Sequence, residues 1–278
     1  MRFFGVRGSC PCSSPAHLRY GGNTSCVLVE PDHGPGLILD LGTGLRPLGD
    51  VLEAAGDSSP VTALLSHLHW DHMIGLPFFA PVLRPGSTMD VYGPPQQRGS
   101  LHQVVDQVVQ PPFFPVQVQQ LHGSITFHEV VDDKLLLGDC VVVVRQVPHL
   151  GTSLGFRVEA DGAAVAYVSD HQAPGDLAHV EPGVLELCDG ADLVIHDAQY
   201  SDEEFAAKPD WGHSTVGYAV HVAAEAGARE LALFHHDPSH LDDDIDRLVE
   251  GARRRSEAAR LQRVLGAAEG LALHLGGR

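Results

Sequence analysis

Apolar runs of strand length recur along this chain. The clearest are Ser25–Glu30, Gly36–Leu41, Val61–Leu65, Met89–Tyr92, Cys140–Val147, Ser153–Val158, Ala163–Val168, Leu193–Ile195 and Glu230–Phe234. Of these, Val61–Leu65 reads as a buried strand. Two later segments read as helices. Thr215–Ala226 is bounded by Gly227, and Leu241–Leu265 carries Ile245, Leu248, Val249 and Ala252 at helical spacing behind Asp242, Asp243 and Asp244. Pro77–Gln120 is rich in proline and the least regular part of the chain. It reads either as a surface cover or as a plain connector. Strands dominate early and helices mix in later, with no Gly/Ser-rich linker between them, so residues 1–278 are expected to form a single domain.

At 278 residues and 44% hydrophobic content the chain is an ordinary globular candidate. Its formal net charge of -18 argues against a wide nucleic-acid footprint, which needs clustered Lys and Arg. The sequence has no transmembrane-length apolar run, and its first residues lack a signal-peptide core. Five cysteines, Cys10, Cys12, Cys26, Cys140 and Cys188, are few and odd in number. They fit reduced thiols in a cytoplasmic protein.

The chemistry concentrates where strands end. Val61–Leu65 runs into His67-Leu68-His69-Trp70-Asp71-His72, which packs three histidines and one aspartate into six residues. Imidazole and carboxylate suit zinc and related divalent ions. Three other strand tips carry ligand types: His149 after Cys140–Val147, Asp170 after Ala163–Val168, and His235 after Glu230–Phe234. His236 beside His235, and His171 beside Asp170, are near-duplicates with no role fixed by pattern. Strand tips of a layered α/β protein share one edge, where sites are commonly built.

The order His-x-His-x-Asp-His, His, Asp, His resembles the metallo-β-lactamase superfamily of metallohydrolases over essentially the whole chain. The resemblance implies an α/β, four-layer αβ/βα sandwich. It implies two divalent ions: His67, His69 and His149 on the first, Asp71, His72 and His235 on the second, and Asp170 bridging. Zinc suits this set best, with manganese or iron as alternatives. Further motifs are similar to the phosphodiesterase-like members, which include the transfer-RNA 3′-processing ribonucleases. They are Arg19-Tyr20-Gly21-Gly22-Asn23-Thr24-Ser25-Cys26, Leu39-Asp40-Leu41-Gly42-Thr43-Gly44, Ile195-His196-Asp197-Ala198 and Gly212-His213-Ser214-Thr215. In that branch the histidine of Gly-His-Ser-Thr assists catalysis and an acidic residue orients it, which implicates His213 and Asp197. His196 has no role fixed by pattern, a structural one being one reading.

The implied activity is hydrolysis of a phosphodiester in a small substrate: a cyclic nucleotide, a nucleotide-like diester or a phosphonate-derived one. The attacking species would be a hydroxide shared by two ions, oriented by Asp71 and Asp170. The rivals are an RNA 3′-processing endonuclease, or a lactonase, thioesterase or phosphotriesterase on the same centre, and promiscuity among these is expected. The acidic charge and the lack of a Gly- and Pro-rich arm disfavour transfer RNA. A non-catalytic module would be expected to lack ligands, and all seven are present. Phe113 and Phe114 read either as a leaving-group pocket or as core. The branch implies a possible homodimer.

Overall fold

A computed structural model describes residues 1–259 and 261–276. Arg260, inside the expected C-terminal helix, and positions 277 and 278, inside the expected single domain, lie outside the described residues.

Among the described residues thirteen strands form two sheets. The first orders β1 (Arg2–Gly5), β2 (Cys26–Val29), β3 (Leu37–Leu39), β4 (Val61–Leu64), β5 (Thr88–Gly93) and β6 (Ser124–Glu129) side by side. From β3 to β6 the pairing is parallel. The second sheet holds β7 (Lys134–Leu137), β8 (Cys140–Val147), β9 (Ser153–Ala160), β10 (Ala163–Val168), β11 (Leu193–Asp197), β12 (Glu230–Phe234) and β13 (Arg263–Gly266). Here β7 to β10 are antiparallel and β10 to β13 parallel. Strands β8, β10, β11 and β12 therefore all run toward the same edge.

The continuous apolar runs follow from burial on both faces. Val165, Tyr167, Leu193, Ile195 and Phe234 meet Val27, Leu37, Leu39 and Leu64 between the two sheets. Ala166, Val168, Val194, Leu231 and Leu233 point the other way. They pack on Val184 and Leu187 of α4 (Pro182–Cys188), Val216, Ala219 and Val222 of α6 (Val216–Glu225), and Ile245 and Val249 of α7 (Asp242–Ala259). The outer face of the first sheet, with Leu28, Ile38 and Ala63, packs on Leu45 and Leu48 of α1 (Leu45–Ala54) and Leu101 and Val105 of α3 (Leu101–Val108). Helices, sheet, sheet, helices: this is the expected four-layer αβ/βα sandwich. Among the described residues no helix is long and apolar enough to cross a membrane.

One expectation is corrected. The helix expected over Leu241–Leu265 is described over Asp242–Ala259, and Arg263–Gly266 instead pairs parallel to β12. Leu261, Val264 and Leu265 continue the helical spacing by accident, and a four-residue edge strand is too short to show its own period. Pro77–Gln120, the least regular stretch by sequence, also carries regular elements. It contains β5, the partner of β4 and β6, and the amphipathic α3, which starts at a capping box of Ser100 and Gln103.

Candidate metal centre

The first group of ligand types is delivered by β4. Beyond Leu64 the chain turns into α2 (Trp70–Met73), with His69 at its N-cap and Asp71 and His72 in its single turn. His67, Asp71 and His72 are buried. His149 follows β8, Asp170 follows β10, and His235 follows β12 in a left-handed conformation with φ +60. Non-glycine residues adopt that region only where the surroundings enforce it.

These seven side chains converge. The ligand atoms of His67, His69, His149 and Asp170 all lie within 4.8 Å of one another, and those of Asp71, His72 and His235 form a second such group. The Asp170 carboxylate faces both. Its Oδ2 is 3.7 Å from His67 Nε2 and 3.6 Å from His149 Nε2. Its Oδ1 is 3.0 Å from His72 Nε2 and 3.2 Å from His235 Nε2. Asp71 Oδ2 is 3.2 Å from His72 Nε2 and 3.1 Å from His235 Nε2, and it accepts from the Ser9 amide at 2.8 Å.

The outer ring nitrogens are engaged elsewhere, so the inner ones keep their lone pairs. His149 Nδ1 donates to Gly212 O at 2.7 Å, and His72 Nδ1 to Asp40 Oδ2 at 2.7 Å. Ser66 Oγ gives its proton to Asp40 Oδ2, so it accepts from His67 Nδ1 at 3.0 Å. His67 Nε2 is then a buried nitrogen with no hydrogen-bond partner. Such an orphan is costly unless something fills the position, and a divalent cation between imidazoles and carboxylates does so. The donor set thus fits zinc-type chemistry.

The electrostatics agree. Burial holds the pKa of His67, His69 and His149 below the ordinary imidazole range, favouring the neutral form that ligates metals. Burial alone would raise Asp71 and Asp170, yet the facing imidazoles hold both well below the usual carboxylate range. Burial also opposes charge on His72, but Asp170, Asp71 and Asp40 outweigh it and raise its pKa well above the ordinary value. Positive charge is what this cluster of carboxylates favours.

His213 sits against the cluster. Its Nδ1 is 2.9 Å from Asp197 Oδ2 and 3.8 Å from Asp170 Oδ2, and its ring stacks on His235 at 5.0 Å. Burial lowers its pKa, but Asp197, Asp170 and Asp71 overcome that and lift it to about 9. Thr215, two residues on, caps α6 by accepting from the Tyr218 amide. Because a ligand atom of His213 also groups with Asp170 and His235 within 4.8 Å, it lies close enough to compete as a ligand.

The neighbouring histidines separate cleanly. His236 points away from the cluster and donates from Nε2 to Ala267 O at 2.9 Å. His171 Nδ1 lies 3.1 Å from His196 Nε2, and His196 Nδ1 donates to Asp197 O. That places His196 beside the backbone of Asp197 and outside the ligand groups. Phe114 packs on the edge of the core beside the first sheet, while Phe113 is largely exposed. With Trp70, Ile74 and Phe78 they line an apolar pocket of about 290 Å³ on α2. Helical spacing puts Trp70 and Ile74 on one flank of α2 and Asp71 and His72 on another. Phe113 is 75% exposed, so it is not core.

Sequence reasoning gave no role to Asp40, which the structure places in the site. It follows β3, is fully buried with φ +62, and accepts from the Ser66 amide, Ser66 Oγ and Tyr167 OH at 2.7, 2.9 and 2.7 Å besides facing His72. The available signal was the same as for the ligands: an acidic residue at a strand tip.

Comparison with known proteins places the chain. The beta-lactamase superfamily domain matches residues 42–236. The chain is 29% identical over 276 residues to ribonuclease Z of Myxococcus xanthus, covering 83% of this chain and 86% of that one. It superposes on the metallo-beta-lactamase fold protein YhfI from Bacillus subtilis with a TM-score of 0.71 at 20% identity, covering 97% and 96% of the two chains. It also superposes on a diphosphatase from the PhnP family with a TM-score of 0.66 at 18% identity, covering 100% and 98%. With two sheets packed face to face and a His/Asp cluster at their common edge, this chain belongs to the metallo-β-lactamase superfamily and is a metal-dependent hydrolase related to ribonuclease Z.

Proposed function

We propose that this hydrolase cleaves phosphodiester bonds of a small substrate: a cyclic nucleotide, a nucleotide-like diester or a phosphonate-derived one. The observation that carries the proposal is the Asp170 carboxylate, with Oδ2 toward one histidine group and Oδ1 toward the other. This arrangement supports two divalent ions side by side, zinc best matching the ligands. His67, His69 and His149 would hold the first, Asp71, His72 and His235 the second, with Asp170 shared. Bound divalent ions would supply a water activated near neutral pH and would offset charge on a phosphate.

The chain's own residues supply the rest. Asp71, fixed by the Ser9 amide, orients the attacking oxygen through the carboxylate face directed at the cluster. Asp197 holds His213 through Nδ1, leaving Nε2 as the nitrogen that can give a proton. The Asp197 carboxylate 2.9 Å from Nδ1 favours the protonated imidazole. His213 then donates to the leaving oxygen, help worth roughly a hundred- to ten-thousandfold.

A ribonuclease reading is favoured by the likeness to the Myxococcus xanthus ribonuclease Z. A net charge of -18 works against a polyanionic substrate. The test is a panel: bis(p-nitrophenyl) phosphate, cyclic nucleotides, a precursor transfer RNA and an aryl lactone, each with zinc and with manganese. Turnover of the small diesters above the others supports the proposal. Selective cleavage of the transfer RNA, or of the lactone, replaces it.

A further inference from the structure

One more side chain faces His235 from outside the ligand groups. Gln199 follows β11, is 3% exposed, and presents Oε1 at 2.8 Å to His235 Nδ1. The opposite side of that imidazole, Nε2, lies 3.1 Å from Asp71 Oδ2 and 3.2 Å from both Asp170 Oδ1 and His72 Nε2. We propose that Gln199 is a positioning residue for the second ion, fixing His235 with its proton on Nδ1 and its lone pair on Nε2. The inference rests on the reading of His235 as a ligand to that ion.

The amide of Gln199 is not free to turn over. Its Nε2 donates to Tyr200 OH at 3.1 Å and to Asp237 Oδ2 at 3.5 Å. Reversal would set the amide oxygen against the Asp237 carboxylate and aim a donor at His235. Asp237 is itself anchored. Its Oδ1 accepts from the Ser239 amide and Ser239 Oγ at 2.8 and 2.6 Å, and its Oδ2 lies 3.8 Å from Lys208 Nζ. Lys208 in turn stands over the rings of Tyr200 and Trp211 at 4.5 and 5.3 Å. A polar chain thus runs from the half-buried Lys208 through Asp237 and Gln199 to His235.

The backbone closes over this contact. A Cβ at Gly8 would stand 2.4 Å from His235 Nδ1 and 2.7 Å from Gln199 Oε1. Only glycine lets the chain lie there, which keeps other acceptors away from Nδ1. A metal-bound histidine needs its second nitrogen to donate, and losing such an outer partner typically costs about ten- to a hundredfold in metal affinity. Near Asp71 and Asp170 the competing tautomer, with its proton on Nε2, would find ready acceptors. The Gln199 oxygen tips the balance to the metal-competent form.

The test is a zinc titration of metal-free protein against a competing chelator, together with long-range ¹H–¹⁵N spectra of the wild-type imidazoles. Gln199→Leu should weaken the second zinc step by about ten- to a hundredfold while the first step holds. Gln199→Glu combined with Asp237→Asn, which keeps an acceptor facing Nδ1 and removes the facing carboxylate, should recover most of the loss. A second step of wild-type affinity in Gln199→Leu overturns the proposal. If that variant fails to fold, the wild-type spectrum decides, because a His235 proton on Nε2 in the metal-free protein also overturns it. Wild-type protein that takes up a single zinc fails the two-ion reading instead, and this inference falls with it.

Discussion

Asp40 Oδ2 lies 2.7 Å from Nδ1 of His72, and both residues are completely buried. The same carboxylate collects Ser66 and Tyr167 OH, so one acid ties β3, the turn after β4 and β10 to a single imidazole. This is a carboxylate–histidine pair of the kind that sets ligand direction and basicity in metal sites.

Asp40→Ala therefore leaves several buried donors unpaired and puts alanine in a left-handed conformation. The expected loss is about 3 kcal/mol of unfolding free energy, read by urea denaturation of the metal-free protein. Asp40→Asn, which tolerates the backbone, should lose less stability but still weaken metal binding. Wild-type stability in the alanine variant would show that the hydrogen-bonded cluster contributes little.

Asp71 bears on turnover more than on fold. It is buried in the single turn of α2, and its Oδ2 contacts are polar, to the Ser9 amide, His72 and His235. Asp71→Ala should abolish diester hydrolysis and leave the circular dichroism spectrum unchanged. Near-normal rates would contradict the two-ion account.

His213→Ala should lower turnover by roughly a hundred- to ten-thousandfold on diesters with poor leaving groups, and far less on bis(p-nitrophenyl) phosphate. Metal content should not change. Because His213 groups with Asp170 and His235, loss of an ion in this variant would make it a ligand instead of an acid.

His236 gives a pH signature separable from the site. Burial pushes its pKa down to about 3, against about 6.5 in an unfolded chain. The unfolded state thus binds the proton first. The associated stability is complete above about pH 6.5 and is lost as pH falls toward about 3, by about 1.4 kcal/mol per unit. His236→Gln should shrink the stability difference between about pH 7 and about pH 5 by about 2 kcal/mol, measured by urea unfolding with chelator present. An identical pH slope in wild type and variant would contradict the assignment. Metal binding in the variant should be largely retained.

The ligand histidines were legible because each ends a strongly apolar strand, and one reading of the pattern gave both strand and tip. Asp40 carried the same strand-tip signal, but the strand expected over Gly36–Leu41 ends at Leu39, so the tip was placed past Asp40. It matters through Ser66, Tyr167 and His72, which only the folded sheets bring to it. Strand β6 was missed because Ser124–Glu129 lies at a sheet edge with alternating exposure and few large apolar side chains. Strand β13 was hidden in the phase of the preceding helix. Phe113 and Phe114 could not be placed because their side of α2 depends on how α3 returns to it.

The central claim is that two divalent ions sit in the His/Asp cluster and run the reaction. Elemental analysis of the purified protein, paired with bis(p-nitrophenyl) phosphate hydrolysis before and after chelation, tests it most directly. The account predicts about two ions per chain and activity that is lost on chelation and restored by zinc or manganese. A well-folded sample that holds no metal and takes none up on soaking, or that hydrolyses the diester equally well after chelation, would contradict it.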